Sequence, residues 1–272
     1  MNRKASPLTS VIMIPVALLV GLPLYYIVVN TFKTQGEMST SPLALPQQLY
    51  LENYRTVFES VPLASSFTNT LYVTALSILL MLLIGSTAAY GMIMRNSLFN
   101  RWFGVALLLG FIIPGQSTLI PLYRLLVDIH LVNTLTGLVL LYSAGAIFCY
   151  FLIQGYMRTV PFEIIEAARI DGAGVFGIYW RIVLPLIRPI LVTVGVFQTM
   201  WVWNDFITPN VFLSSPEKKT LVLQVYTAVG QFSTNWPSFM TLSVIVLIPM
   251  VVFFILTQRH IVNGLLAGGV KG

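Results

Sequence analysis

The stretch Pro161-Phe-Glu-Ile-Ile-Glu-Ala-Ala-Arg-Ile-Asp-Gly172 lies between two long apolar segments and carries three of the chain's nine acidic residues. Its spacing predicts a short helix. Pro161 suits a first helical position, and Glu163 places negative charge beside the positive end of the helix dipole. Glu163, Glu166, Ala167 and Ile170 recur at i, i+3, i+4 and i+7, so they share one face. Asp171-Gly172 reads as the stop, with glycine at the left-handed position. After a glycine-punctuated turn, a second helix is expected to start near Phe176 and run through Pro185 into the next apolar segment. The expected product is an amphipathic helix nearly parallel to a membrane. Ala167 and Ala168 are small enough to let another backbone approach. A resting place on lipid headgroups is the bland alternative. Two carboxylates argue against it, because an anionic leaflet prefers Lys and Arg.

The rest of the chain says what that helix is attached to. Of 272 residues, 57% are apolar or aromatic and 9% are charged. A soluble domain carries about 25% charged residues, and a disordered chain needs low hydrophobicity with high charge. With a mean hydropathy of +0.84, the solvent is lipid. One cysteine, Cys149, excludes an intramolecular disulfide framework and a Cys-based zinc site. Two histidines, His130 and His260, leave little for metal chemistry.

A spanning helix needs about 20 mostly apolar residues. Six are expected, at about 10–32, 67–94, 102–124, 134–157, 182–204 and 239–258, in one membrane domain covering 1–272. Arg188 lies inside the fifth, close enough to its end to snorkel to the interface. Pro114, Pro185, Pro189 and Pro249 break hydrogen bonds inside spans three, five and six. Placing both termini in the cytoplasm puts Arg3, Lys4, Arg95, Arg101, Arg158, Arg169, Arg181, Arg188, Arg259 and Lys271 inside. Lys33, Arg55, Arg124, Lys218 and Lys219 then fall outside. With the acidic residues included, the net charge of +6 divides into +7 inside and −1 outside. Topology therefore accounts for the basic excess, and nucleic acid is not needed to explain it. The first apolar run exceeds the 7–15 residues of a signal-peptide core and lacks an A-x-A site, so an uncleaved first helix is expected.

Glu166-Ala-Ala168, three residues, Gly172, nine residues, then Ile182-Val-Leu-Pro185 resembles the EAA loop of binding-protein-dependent ABC importers. The integral-membrane subunits of that family carry EAA-x3-G-x9-I-x-L-P. Pro121-Leu-Tyr123 with Asn133-Thr134, and Trp203-Asn-Asp205, resemble the maltose-type sugar permeases of carbohydrate uptake family 1. The tail from Gln258 to Gly272 is similar to the C-terminus of that family's second permease subunit. The resemblance implies an all-α polytopic membrane protein of the type I importer fold in a bacterial inner membrane. It implies that loop 159–185 docks a coupling helix on a cytoplasmic ATPase. Glu163, Glu166, Ala167, Ala168, Arg169, Asp171 and Gly172 would then be interface residues, with Gln258, Gly264, Gly268 and Lys271 as tail contacts. The implied partners are a second permease subunit, two ATP-binding subunits, an extracytoplasmic binding protein and a sugar or polyol-type cargo. No catalytic residue, metal or cofactor is expected in this chain; ATP and Mg²⁺ belong to the partner subunits.

Competing signals are weaker. Gly172-Ala-Gly174-Val-Phe-Gly177 fits G-x-G-x-x-G but lacks the βαβ setting that the dinucleotide fingerprint requires. No G-x-x-x-x-G-K-[ST] occurs. Gly264 and Gly268 form a G-x-x-x-G past the last span, out of place for helix packing. The glycines of the tail instead permit an extended, closely packed backbone. Cys149 is expected in the core of span four. Trp201, Asn204 and Asp205 suit a solvated span end, a substrate path, or a contact with the binding protein. An ion-coupled secondary transporter would need acidic residues near the midplane, and an intramembrane enzyme would need a catalytic cluster. The mid-span stretches contain neither.

Overall fold

A computed structural model describes the backbone of residues 7–94, 97–232 and 235–269, and side chains within 13–259 of those ranges. Every element among the described residues is helical. In chain order they are α1 (Pro7–Asn30), α2 (Gln35–Thr40), α3 (Glu52–Ser60), α4 (Leu63–Met94) and α5 (Leu98–Ile112). There follow α6 (Leu119–Asp128), α7 (Leu135–Ser143), α8 (Ala146–Met157), α9 (Glu163–Ile170) and α10 (Val175–Ile178). The series ends with α11 (Leu184–Leu186), α12 (Arg188–Asn204), α13 (Ile207–Phe212), α14 (Leu221–Gln231) and α15 (Trp236–Gly269). Four segments are long and apolar enough to cross a membrane: Met13–Asn30, Leu63–Met94, Leu135–Met157 and Trp236–Arg259.

The other two expected spans are broken. Residues 102–124 do not form one helix: Leu98–Ile112 and Gly115–Asp128 meet at 91°. The cause is local. Pro114 has no N–H to donate and drives the preceding residue out of the helical region, leaving Ile113 at φ −69°, ψ 122°. Residues 182–204 divide likewise, with Val175–Leu186 meeting Arg188–Asn204 at 73° across Ile187. Pro185 and Pro189 flank that hinge, and Tyr179–Val183 just before it is a turn of π-helix. Pro249, in contrast, stays inside a continuous α15.

Two compact units form, Met1–Leu63 with Gln224–Pro249, and Ala64–Leu223 with Met250–Gly272. In the first, Asn53 is the tie. Its Nδ2 donates to Thr31 O at 2.9 Å and Lys33 O at 2.8 Å, and Ser238 Oγ donates to its Oδ1 at 3.4 Å. The Lys33 side chain is fully buried and donates to Ser41 O at 2.7 Å. These bonds hold the connection between α1 and α3 in place, satisfying carbonyls that a non-helical segment would otherwise strand.

The second unit contains the main apolar core, with Met81, Leu138, Cys149, Ile153, Ile178 and Val194 among its fully enclosed side chains. Cys149 lies in this core as expected. Between α7 and α8 the chain steps at Ala144-Gly145. A Cβ on residue 145 would meet Gln198 Nε2 at 2.8 Å and Met81 Cε at 3.0 Å, so a larger residue there would have to displace the ends of those side chains. Gln198, buried on α12, returns a hydrogen bond to Gly145 O at 3.2 Å.

Candidate functional site

The helix α9 is positioned by its two ends. Its opening bonds are Ile164 N–H to Pro161 O at 3.4 Å, and Ile165 N–H and Glu166 N–H to Phe162 O at 2.9 and 3.1 Å. Pro161 stands two residues before the helix, and its carbonyl accepts the first of these bonds. At the other end Gly172 adopts φ +80°. Ala173 N–H reaches Ala168 O and Gly172 N–H reaches Arg169 O, both at 3.0 Å. That pair of bonds is a Schellman stop, and it satisfies carbonyls left over at the helix end.

A helical period of 3.6 then separates the side chains. Ile165 and Ala168 are buried in the chain's own core, while Glu163, Glu166, Ala167, Ile170 and Asp171 are exposed. The expectation that Ala168 offers a small surface to a partner is corrected: it faces inward. Arg169 is exposed but turned back on its own chain, with its guanidinium 5.9 Å from the Phe162 ring and Nη2 3.4 Å from Met94 Sδ. Among the described residues the one ion pair is Arg55–Glu59, so the three carboxylates beside α9 make no ion pair there. Ile170 and Phe176 are 86% and 81% exposed. Phe176 also lines an open groove of about 600 Å³ with Gly172, Gly174, Trp180 and Arg181.

The sequence reading missed how this loop is tied to α4. Tyr90 Oη donates to Val175 O at 3.0 Å, and Tyr179 Oη lies 2.8 Å from Ser86 Oγ. The two tyrosine rings are 5.4 Å apart. Tyr179 belongs to the π-turn, a feature frequent at functional sites. Tyrosines on an apolar helix face are ordinary core residues by spacing alone, so no sequence signal singled these out.

Trp201, Asn204 and Asp205 do come together, in a groove of about 720 Å³. Its walls are three helix breaks. One is Gly115, Gln116 and Thr118 after Pro114; one is Tyr142 to Gly145; the third is Asn204 to Thr208, where α12 ends. Asp205 is the one acidic or basic residue lining it. Its Oδ1 accepts from the N–H of Ile207 at 2.9 Å and of Thr208 at 3.4 Å, so it caps α13. Its Oδ2 accepts from Tyr142 Oη at 2.9 Å. The Tyr142 ring meets Trp201 edge-on at 5.6 Å and fixes that indole. Asp205 is thus a structural anchor that also lines the groove. Gln116 and Tyr142 escaped the sequence reading because nothing local marks them.

Asn133, part of the sequence resemblance, proves to be a knot. At φ +57° its Oδ1 accepts from Ser214 and Ser215 N–H, and Lys218 Nζ donates to its carbonyl at 2.8 Å. The tail is corrected. Residues 264–269 continue α15 instead of running extended, because single glycines cost only about 1 kcal/mol in a helix that Leu265, Leu266 and Ala267 favour. Gln258 is exposed and donates to Ile255 O. Lys271, like Arg3, Lys4 and Arg95, lies outside the described residues.

Apolar helices crossed by breaks, a groove built on those breaks, and an exposed acid-bearing helix define a polytopic transport permease. The profile of the family described as "Binding-protein-dependent transport system inner membrane component" matches residues 81–266, and the chain belongs to that family. The chain is 37% identical over 254 residues to the "Probable starch degradation products transport system permease protein AmyC" of Thermoanaerobacterium thermosulfurigenes, covering 92% of this chain and 91% of that one. It is 33% identical over 253 residues to the "Melibiose/raffinose/stachyose import permease protein MelC" of Bacillus subtilis, with the same coverage. A chain in the crystal structure of a bacterial ABC transporter that imports alginate, an acidic polysaccharide, superposes with a TM-score of 0.81. That match covers 93% of this chain and 94% of the other at 22% identity, and it shares the type I importer fold.

Proposed function

We propose that the chain is one of two permease subunits of an ATP-driven importer for oligosaccharides, and that α9 is its coupling helix. The observation that carries the reading is α9 itself. It is stopped by a left-handed glycine and presents three carboxylates that make no ion pair within the chain's described residues. An acid-tipped helix beside exposed Ile170 and Phe176 suits a basic-rimmed apolar cleft on a protein partner better than an anionic lipid surface. The partner is a cytoplasmic ATPase subunit, one of a pair that binds ATP and Mg²⁺. Closure of that pair on nucleotide shifts the permease between two states by differential binding. The sugar class follows from AmyC and MelC. An extracytoplasmic binding protein delivers the cargo, and a sister permease closes the open side of the groove at Trp201, Asn204 and Asp205.

The ten-to-five basic asymmetry supports both termini in the cytoplasm and a place in the bacterial inner membrane. The last turns of α15, with Gln258, Gly264 and Gly268, then reach the ATPase side as a helix, and Lys271 follows them in the sequence. Reconstitution tests the function. The permease pair, ATPase and binding protein in proteoliposomes should import radiolabelled maltotriose or raffinose only with ATP. ATP-independent uptake, or import of neither sugar, overturns it. Topology is tested in a Cys149→Ala background: Ser215→Cys should label from outside, and labelling from the cytoplasmic side refutes the orientation.

A further inference from the structure

Residues 41–51, Ser-Pro-Leu-Ala-Leu-Pro-Gln-Gln-Leu-Tyr-Leu, join α2 to α3 without forming a helix, and none of them is charged. A connection of this kind usually leaves its carbonyls to water. Here the arrangement is inverted. Lys33 Nζ donates to Ser41 O at 2.7 Å, Asn30 Nδ2 to Pro42 O at 3.0 Å, and Tyr25 Oη to Leu43 O at 2.8 Å. Pro42 and Pro46 have no N–H to satisfy, and Gln47 N–H reaches Glu37 Oε1 at 2.7 Å. With its backbone pinned to the end of α1 and to α2, the strap turns its apolar side chains outward. Leu43, Leu45, Leu49 and Leu51 are 53%, 73%, 70% and 59% exposed. The same bonds set a depth. Over its 24 residues α1 rises about 36 Å, against a hydrocarbon slab about 30 Å thick. Tyr25 lies five residues, about 7.5 Å, before the last residue of α1. A slab centred on α1 therefore has Tyr25, and the Leu43 carbonyl bonded to it, at its outer margin. Irregular backbone is tolerated at that depth where protein groups satisfy it, as Lys33, Asn30 and Tyr25 do.

We infer that residues 43–51 are a leucine anchor seated in the outer leaflet of the membrane, where they hold the outer end of α1 at a fixed depth. The inference rests on the topology proposed above, which places the connection between α1 and α4 outside. Exposed apolar patches of this size mark either a protein contact or a membrane contact. Lipid is favoured by the chemistry of the strap. A specific protein contact is framed by a polar rim with hydrogen bonds across it. The strap carries no charge, and its carbonyls at Ser41, Pro42 and Leu43 are already spent inward. Tyr50, half-exposed beside Gln47 and Gln48, suits the headgroup level, where amphipathic rings collect. Leucines buried about 5–10 Å into the boundary between headgroups and acyl chains are the usual footing of a segment that lies on a membrane without crossing it.

The test places single cysteines in the complete complex, in a Cys149→Ala background, and couples each to an environment-sensitive fluorophore. The vesicles are phosphatidylethanolamine with phosphatidylglycerol, with or without bromine on the acyl chains. Labels at Leu45→Cys and Leu49→Cys should lose emission in the brominated vesicles, and adding the binding protein should not restore it. A label at Glu59→Cys, on the exposed pair with Arg55, should emit equally in both. If the Leu45 and Leu49 labels behave like the Glu59 label, the strap stands in water and the inference is overturned. Emission that recovers when the binding protein docks overturns it too. So do labels shielded both from bromine and from aqueous iodide, because protein then covers the leucines. The topology is read separately. A membrane-impermeant thiol reagent should reach Glu59→Cys from outside, and reaction from the cytoplasmic side refutes the orientation whatever the bromine shows.

Discussion

The helix Glu163–Ile170 and the groove at Asp205 are both exposed, yet they are specified in opposite ways. Every determinant of the helix lies within twelve consecutive residues: the acidic first turn, the 3.6 period and the glycine stop. The groove is assembled from breaks at Pro114, Gly145 and Asp205, separated by 31 and 60 residues along the chain. A contact surface made of one element can be aimed by a single backbone angle. A surface made of three breaks depends on the packing that holds them apart. The first should therefore fail through re-aiming with the fold intact, and the second through loss of stability.

The sharpest attempt to break that contrast is Gly172→Val. A β-branched residue at φ +80° is strained by about 1–3 kcal/mol, and the cheapest relief is to abandon the Schellman stop. Nothing lies within 4 Å of a Cβ there, so sterics beyond the backbone add nothing. Insertion into the membrane should be normal while reconstituted import falls to background. Import at even half the wild-type rate means that the aim of α9 does not matter.

Glu166→Ala comes next. The carboxylate forms no ion pair among the described residues, so the loss is expected from the subunit it meets. Removing one member of an interfacial charge pair costs about 2–5 kcal/mol, which is 30-fold or more in affinity. Import should fall by that order, and Glu166→Gln should recover part of it by keeping a hydrogen-bonding group. An equal loss in Glu166→Gln and Glu166→Ala shows that charge is the whole contact. No loss in either leaves residues 161–176 as an interfacial helix.

The same contrast explains what could be read in advance. Helix class, the length of most spans and the α9 stop follow from composition and local spacing, because a turn of helix is decided by its neighbours. The 91° bend at Pro114 was half visible: proline predicts a kink, but the angle depends on Ile113 also leaving the helical region. Ala168 was misjudged because its pairing with Ala167 in the EAA pattern says nothing of which one faces inward. Gln198, Tyr142 and the Tyr90–Tyr179 link were invisible, since each gains its meaning from a residue at least 50 positions away. The tail was misjudged for a different reason: four glycines suggested extension, and the intervening leucines and alanine outweighed them.

Gly145→Ala probes the groove. The added methyl would lie 2.8 Å from Gln198 Nε2 and about 3 Å from the Met81 side chain. Overpacking of this kind costs about 1–3 kcal/mol and disturbs the Gln198 bond to Gly145 O. The unfolding temperature of the purified complex should fall by several degrees, with import reduced in proportion to the folded fraction. If stability is untouched and import alone collapses, the break at Gly145 is a moving part and the contrast between the two regions fails.

The smallest expected effect lies where the two regions meet, at Tyr179. Its hydroxyl pairs with Ser86 Oγ, and the tyrosine rides on the π-turn that leads from the α9 loop into the hinge at Ile187. Tyr179→Phe removes one neutral hydrogen bond, about 1 kcal/mol, and strands nothing, because Ser86 Oγ keeps its own bond to Leu82 O at 2.5 Å. The ring contact with Tyr90 survives as well. Stability should therefore change little. If this bond transmits motion of α9 to α4, sugar imported per ATP hydrolysed should fall about three- to fivefold, and Ser86→Ala should do the same. The double variant should then be no worse than either single one, since both remove the same contact. Additive losses instead mean that each hydroxyl acts through a different neighbour, and the link between the coupling loop and α4 then runs through other contacts, such as the Tyr90 bond to Val175 O and the Arg169 contact with Met94.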